Sequence, residues 1–123
     1  MKIVKLEDLN VYKVSFDLSN EIWGIVIRWG WFEKDTVGKQ LVRAADSISA
    51  NIAEGYGRNG RADKCKFYTY ARASVLELED WINKARKRNL LTENSYCHII
   101  EKTSTLPRMI NYQIKYTRET LKE

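Results

Sequence analysis

The chain has 123 residues, with one proline, six glycines and two cysteines, and a formal net charge of +5 at pH 7. This length suits one domain, over residues 1–123, that buries roughly two-thirds of its unfolded surface. The small number of breaker residues favours long helices over many short strands. The two cysteines, Cys65 and Cys97, have no CxxC or metal-ligand companion, which excludes a disulfide framework and predicts free thiols rather than a bridge.

Neither a leader sequence nor a membrane span is recognisable. The N-terminus lacks a charged segment followed by an apolar run and a cleavage site. No apolar stretch approaches the roughly 20 residues that are needed to cross a bilayer. We therefore expect a cytoplasmic protein without a membrane partner.

The positive charge is concentrated in one part of the chain. Residues 58–88 carry nine Lys/Arg against four Asp/Glu, whereas residues 1–57 carry seven against eight and residues 89–123 five against four. A local basic field favours polyanions such as RNA or DNA. The alternative is a solvated helix face, since Lys-rich faces are common on protein surfaces.

Four amphipathic segments follow one another along the chain. Apolar residues at three-four spacing predict helices over about 7–29, 37–56 and 62–88, and a fourth that begins after an N-cap at Thr92. Short connections favour antiparallel neighbours, so we predict an all-α fold, an antiparallel up-down-up-down four-helix bundle.

Two features qualify this pattern. Residues 30–38 are predicted as a connection, with Trp31 and Phe32 folding back over the end of the bundle. Pro107 lies in the middle of the fourth segment, where it removes a backbone hydrogen bond and predicts a kink or break.

The first helix carries two apolar stripes on opposite sides. One stripe is assigned to the core of the bundle: Leu9, Tyr12, Phe16, Trp23 and Val26. The other needs a second partner, because a monomer rarely leaves six large apolar side chains in water. We therefore predict a homo-oligomer whose subunits meet through Val11, Val14, Leu18, Ile22, Ile25 and Trp29. The alternative is a first helix that is covered on both sides within its own domain.

The second predicted helix ends in a stretch of polar residues and glycines. Asn51 and Glu54 are of types that can form a ligand pair, but a structural role is favoured. Asn51 can hydrogen-bond a neighbouring helix, and Glu54 can pair with Arg58 four residues later. We assign Gly55 and Gly57 to the permissive backbone of a helix stop.

A cluster of cations follows this turn and is the candidate nucleic-acid site. On a helical wheel Lys64, Tyr68 and Arg72 share one flank, and cations with an interleaved aromatic suit phosphate contact and base stacking. Two cations on the second helix are expected to extend the cluster. The full set is Arg58, Arg61, Lys64, Lys66, Tyr68 and Arg72, extended by Lys39 and Arg43.

Catalysis finds little support in the sequence. The only histidine, His98, has no nucleophile arrangement around it, and Ser95 stands where a Glu-x-x-His metal pair would need glutamate. The glycines at 55 and 57 lack the preceding strand and the following Lys-Ser/Thr of a phosphate loop. We expect no enzyme activity, no metal and no cofactor.

Several segments together carry a family resemblance. The strings are ISANIAEGYGR at 48–58, QLVRA at 40–44, SVLELE at 74–79 and LLTE at 90–93. In these residues the chain resembles the four-helix-bundle proteins encoded by intervening sequences within 23S ribosomal RNA genes. Pro107, and Ala50 where proline often precedes the asparagine, depart from the pattern of the family.

The resemblance to this family also implies an oligomeric state and binding partners. The family is similar to the accessory variability proteins of diversity-generating retroelements, which form pentameric barrels and bind nucleic acid and a reverse transcriptase through a basic surface. It therefore implies a pentamer with these partners and without catalysis. The alternative function is a structural or adaptor protein whose basic face docks an acidic protein partner, and a nuclease that uses Glu54 is a weaker third.

Overall fold

The structure, a computed structural model, describes residues 4–120 and is a four-helix bundle. Its helices are α1 (Asn10–Val26), α2 (Lys39–Gly57), α3 (Arg61–Lys87) and α4 (Glu93–Thr120), and a 3₁₀ turn at Leu6–Asp8 precedes α1. No strand occurs within residues 4–120. The all-helical prediction is therefore confirmed.

The four helices enclose one apolar core. Each helix packs against its neighbours in sequence, and α1 also packs against α4, which closes the ring. The largest fully buried side chains include Leu18, Ile48, Leu78 and Leu106, one from each helix. Small residues, among them Ala44, Ala45 and Ala71, allow close approach of α2 and α3.

The stretch between α1 and α2 is helical, so its prediction as a connection is wrong. A short turn at Trp31–Glu33 and a π-helical turn at Lys34–Gly38 lead into α2 without a gap. Gly38 serves close packing here, because a Cβ at this position would lie 2.6 Å from Cγ1 of Val26. Trp31 is 77% exposed and Phe32 66% exposed, so neither folds back over the bundle.

The predicted interface stripe of α1 packs against the core instead. Val11, Leu18 and Ile22 are buried in the core, and the other three residues predicted for a subunit interface, Val14, Ile25 and Trp29, are partly buried against it. These six side chains therefore do not form a free surface.

The stripe assigned to the core is divided. Val26 is buried and Leu9 and Tyr12 are partly buried against the core, as predicted. Phe16 is 47% exposed and Trp23 55% exposed, with Ile27 near them at 46%, so this part of the prediction is wrong. The buried face of α1 includes two serines, so it looks less apolar in the sequence than a core face usually does. Ser15 and Ser19 are buried because their hydroxyls donate to the carbonyls of Tyr12 and Phe16 in the preceding turn.

Residues in the turn between α3 and α4 determine where α3 ends and where α4 begins. The Thr92 hydroxyl accepts a hydrogen bond from the Ser95 amide at 3.0 Å, which confirms the predicted N-cap. Asn89 adopts a left-handed φ of 61°, and the Leu90 amide donates to the carbonyl of Ala85, as in a Schellman stop. Helix α4 continues through Pro107, so the chain does not break there, and the kink that the resuming periodicity favours stays a prediction.

Candidate nucleic-acid interface

Gly55 lets α2 approach the side chain of Tyr68 on α3. A Cβ at position 55 would lie 2.8 Å from Cε1 of Tyr68 and 3.0 Å from the Lys64 carbonyl oxygen. Neither Gly55 nor Gly57 has a positive φ. The assignment of Gly55 to a permissive helix stop is therefore wrong: it is needed for close packing.

Tyr68 is buried and is not part of a binding surface. Its side chain is 1% exposed, and this burial raises its pKa to about 12. A base cannot stack on a ring that is enclosed by α2 and the core. The prediction that Tyr68 contacts nucleic acid is therefore wrong. A helical wheel places Tyr68 on the flank of α3, but Gly55 leaves room for its ring inside the bundle.

Asn51 belongs to a hydrogen-bonded group between α2 and α3. Its amide donates to the carbonyl and the hydroxyl oxygen of Ser47, at 2.8 Å and 3.0 Å. The Ser47 hydroxyl is 2.9 Å from the Ser74 hydroxyl on α3. Three polar residues of the sequence motifs thus satisfy one another at a helix interface, which gives Asn51 a structural role.

Glu54 and Arg58 form the predicted ion pair. An Arg58 guanidinium nitrogen is 2.9 Å from a Glu54 carboxylate oxygen, and Asp63 is 3.5 Å away. The same guanidinium lies 4.6 Å from the centre of the Phe67 ring. Two carboxylates therefore offset the charge of Arg58, which makes it a poor phosphate ligand.

Lys64 is engaged by the end of α2. Its ammonium donates to the carbonyl of Tyr56 at 2.7 Å and to that of Gly55 at 3.4 Å. These carbonyls carry the negative end of the helix dipole. Burial lowers the pKa of Lys64, and its charge is directed into the protein rather than towards solvent.

The remaining cations of the cluster meet at the α3–α4 boundary. Arg61, Lys66 and Arg118 line one groove, together with Ala62, Cys65 and Thr69. Arg61 donates to the backbone carbonyl of Arg118 at 3.1 Å, which joins α3 to α4. We call this groove, with its three cations Arg61, Lys66 and Arg118, the basic groove.

Arg72 lies on the same face of α3 as Arg61, about three turns farther along the helix. Its guanidinium donates to the side-chain oxygen of Asn111 on α4 at 2.6 Å. That partner is neutral, so it does not offset the charge. Across residues 4–120 no carboxylate forms an ion pair with Arg72 or with the basic groove.

Lys39 and Arg43 do not extend this cluster. Both lie in the first turns of α2, whereas the basic groove lies beside the turn that follows Gly57. At a rise of 1.5 Å per residue, Lys39 is roughly 27 Å along the helix from Gly57. Lys39 also pairs with Asp35 at 3.3 Å.

Helix α4 adds residues that the sequence reasoning missed. Tyr112 is 66% exposed and Tyr116 52% exposed, and their ring centres are 6.3 Å apart at an interplanar angle of 22°. Arg108 and Lys115 are exposed on the same helix. The signal was present as two tyrosines four residues apart, each two residues after a core isoleucine, Ile110 or Ile114.

The histidine, His98, takes part in a polar contact between α4 and α1. Within the described part of the chain, no cluster of three or more His, Cys, Asp or Glu side chains is placed to hold a metal ion. His98 and Lys102 instead contact Glu21 on α1, at 2.8 Å and 3.0 Å. Burial opposes ionisation of Glu21, but its hydrogen bonds and the charges of Lys102 and His98 outweigh burial and lower its pKa.

The fold and this site define a class: a small helical-bundle protein with a basic groove between two helices. Over residues 7–112 the sequence matches the family of 23S rRNA-intervening sequence proteins, and the chain belongs to this family. No curated protein matches the sequence. None of the helices between residues 4 and 120 combines the length and apolarity of a membrane span.

A solved structure supports the same architecture. The chain is similar to a protein of unknown function from the S23 ribosomal protein family of Bacteroides thetaiotaomicron, with a TM-score of 0.76 and 23% sequence identity. The alignment covers 85% of this chain and 98% of that one. At this level of identity the likeness concerns the fold alone.

Proposed function

We propose that this protein binds nucleic acid, RNA or DNA, without catalysis, through the face that α3 and α4 share. One observation carries the proposal: the basic groove brings three cations together without an ion-paired carboxylate among residues 4–120. Phosphates release condensed counterions when such cations neutralise them, which favours binding irrespective of sequence.

The proposed subunit is an antiparallel up-down-up-down bundle. Contacts between α2 and α3 support this order, because Ser47 bonds to Ser74 while Tyr56, farther along α2, bonds to Lys64, earlier on α3. Contacts between α3 and α4 follow the same rule, since Arg61 bonds to Arg118 and Arg86 bonds to Glu93. The groove then lies at one end of the bundle.

We also propose that the protein is a homo-oligomer, with the pentamer implied by the family resemblance as the expected state. The supporting surface is the exposed stripe of Phe16, Trp23 and Ile27 on α1. Three large apolar side chains at helical spacing form a patch of the kind that interfaces cover. Symmetric repetition would also multiply the number of basic grooves per particle.

The first experiment measures fluorescence anisotropy of a labelled oligonucleotide at several salt concentrations. We expect affinity to fall steeply as salt rises, and the variant K66E/R118E to lose at least about tenfold in affinity, as expected for loss of several phosphate contacts. The matched control is K39E/R43E, which reverses the same number of charges away from the groove. Equal losses in both variants would show a diffuse charge effect and no groove.

A second candidate function is an adaptor for a protein partner, such as a reverse transcriptase. The exposed Trp31 and Phe32 favour this alternative, since both are large apolar side chains in solvent and Phe32 lines a groove together with Trp81 and Arg88. A pull-down from nuclease-treated lysate separates the two functions. Protein partners that survive nuclease and disappear in a W31S/F32S variant would favour the adaptor.

A further inference from the structure

Tyr112 and Tyr116 form an exposed aromatic platform on α4. Their rings are inclined by only 22° to each other with centres 6.3 Å apart, so they present neighbouring faces along one helix. Each follows a buried isoleucine by two residues, which turns its side chain about 200° from the core on a helix of 3.6 residues per turn. Exposed single aromatics are common, but a near-parallel pair beside cations is a more specific feature.

Positive charge surrounds this platform. Arg108 lies one turn before Tyr112 and Lys115 lies between the two tyrosines in sequence, so both flank the rings. Arg118 of the basic groove follows Tyr116 by two residues, which turns it about 200° from that ring, towards α3. Arg72 reaches α4 through Asn111, the residue next to Tyr112. Glu119 is the one acidic residue between 105 and 120. The two rings therefore share one strip of the α4 surface with Arg108 and Lys115, and the basic groove lies farther round the bundle, towards α3.

We propose that this strip binds single-stranded nucleic acid, with unpaired bases stacked on Tyr112 and Tyr116 and the adjacent phosphates on Arg108 and Lys115, while the basic groove holds phosphates farther along the strand. The inference rests on the proposed function and names its substrate class. Bases in a duplex are already paired and stacked, so an exposed ring gains little from them. Unpaired bases of any identity offer a free aromatic face, which is how sequence-tolerant single-strand binding arises.

The test separates stacking from charge. Three fluorescein-labelled strands of equal length are compared by anisotropy: oligothymidylate, oligouridylate and a strand of abasic sites with the same phosphates. Stacking on an aromatic ring strengthens binding by about 5-fold to 150-fold per base. We expect the protein to bind at least one base-bearing strand more tightly than the abasic strand by about 5-fold or more.

Four variants make the test specific. Y112A/Y116A is expected to reduce affinity for the base-bearing strands to that for the abasic strand, without changing affinity for the abasic strand. Y112F/Y116F keeps the rings and is expected to keep the preference. Tyr70→Ala removes another exposed tyrosine, from α3, and is expected to change nothing, while K66E/R118E weakens binding to every strand. Circular dichroism checks that each variant is folded.

The outcomes distinguish this inference from the proposed function. If the abasic strand binds as tightly as both base-bearing strands, or if Y112A/Y116A keeps the preference, the stacking platform is refuted while binding of nucleic acid stands. If a duplex of the same length binds more tightly than the single strands, the proposed substrate class is refuted. If no strand binds, both proposals fail together.

Discussion

The ring of Tyr68 occupies the space that a side chain at position 55 would need, since Cε1 of Tyr68 would lie only 2.8 Å from a Cβ on Gly55. The contact closes the end of the bundle where α2 stops and α3 begins. It also explains two features of the sequence at once: a glycine within a helix, and a tyrosine in the core beside a basic face.

The two glycines of the motif are expected to respond differently to alanine. Gly55→Ala forces the Tyr68 ring or the Lys64 backbone to move, at a cost of about 1–3 kcal/mol in the free energy of unfolding. Apart from its chain neighbours and the backbone of its own helix, Gly57 has no atom within 4 Å of its Cβ position. Gly57→Ala is therefore expected to be neutral or stabilising by up to about 1 kcal/mol. Urea denaturation of both variants checks this, and equal effects would contradict the packing explanation.

Tyr68 is expected to make stability fall at alkaline pH. Its folded pKa of about 12 is above its ordinary value of 10.0, so the neutral form is the one that folding favours. The corresponding stability is fully present below pH 10 and is lost as the pH rises towards the folded pKa. Unfolding free energies measured across this range should decrease less steeply in Tyr68→Phe than in the wild type. The same slope in both proteins would exclude Tyr68 as the source.

Substitutions on the two faces of α1 are expected to have different effects, one on stability and the other on association. Leu18→Ala opens a cavity in the core and should cost about 2–5 kcal/mol. F16S/W23S changes exposed side chains, so it should leave the subunit folded but shift the oligomer towards monomer. Light scattering and circular dichroism on the same samples check both effects. A wild-type protein that is monomeric at micromolar concentration would contradict the proposed oligomer.

Lys64 and Lys66 are expected to show opposite phenotypes although only one residue separates them. Lys64→Met leaves the last carbonyls of α2 without their cation and should cost about 0.3–1 kcal/mol, with little change in affinity for nucleic acid. Lys66→Met should leave stability unchanged. It should reduce the slope of log affinity against log salt concentration by about one, as expected for the loss of one phosphate contact. Parallel denaturation and salt titrations measure the two effects. A larger affinity loss in the Lys64 variant would contradict the assignment.

Glu21 is expected to contribute to stability at neutral pH and to lose this contribution in acid. Its pKa is below the ordinary value of 4.5, so the ionised form is the one that the fold stabilises above that pH. Because the pair is partly exposed, Glu21→Gln should cost under about 1 kcal/mol at neutral pH. The difference from the wild type should shrink as pH falls through the folded pKa. Denaturation at neutral and acidic pH checks the sign.

Periodicity predicted the helices well but not which face of a helix is buried. On α1 both sides carry large apolar residues, and the decision depended on Ser15 and Ser19, whose hydroxyls bond within the helix and can be buried. Likewise, a helical wheel cannot distinguish a flank from the core when a neighbouring glycine makes room, as at Tyr68.

The candidate site was predicted only in part for a similar reason. The sequence identified Arg61, Lys66 and Arg72, because charge density alone marks them. It could not show that the charges of Arg58 and Lys64 are directed to Glu54 and to backbone carbonyls. Arg118 is distant in sequence, and only the packing of α3 against α4 brings it into the groove.

The hydroxyl pair between Ser47 and Ser74 limits how the bundle can move. A slide of α3 along α2 by one helical turn, about 5.4 Å, would separate the two hydroxyls, and the Ser47 hydroxyl would keep only its hydrogen bond from Asn51. Loss of this partly buried hydrogen bond, worth about 0.5–1.5 kcal/mol, opposes such a sliding motion. We therefore expect α2 and α3 to move as one unit when the subunit is deformed.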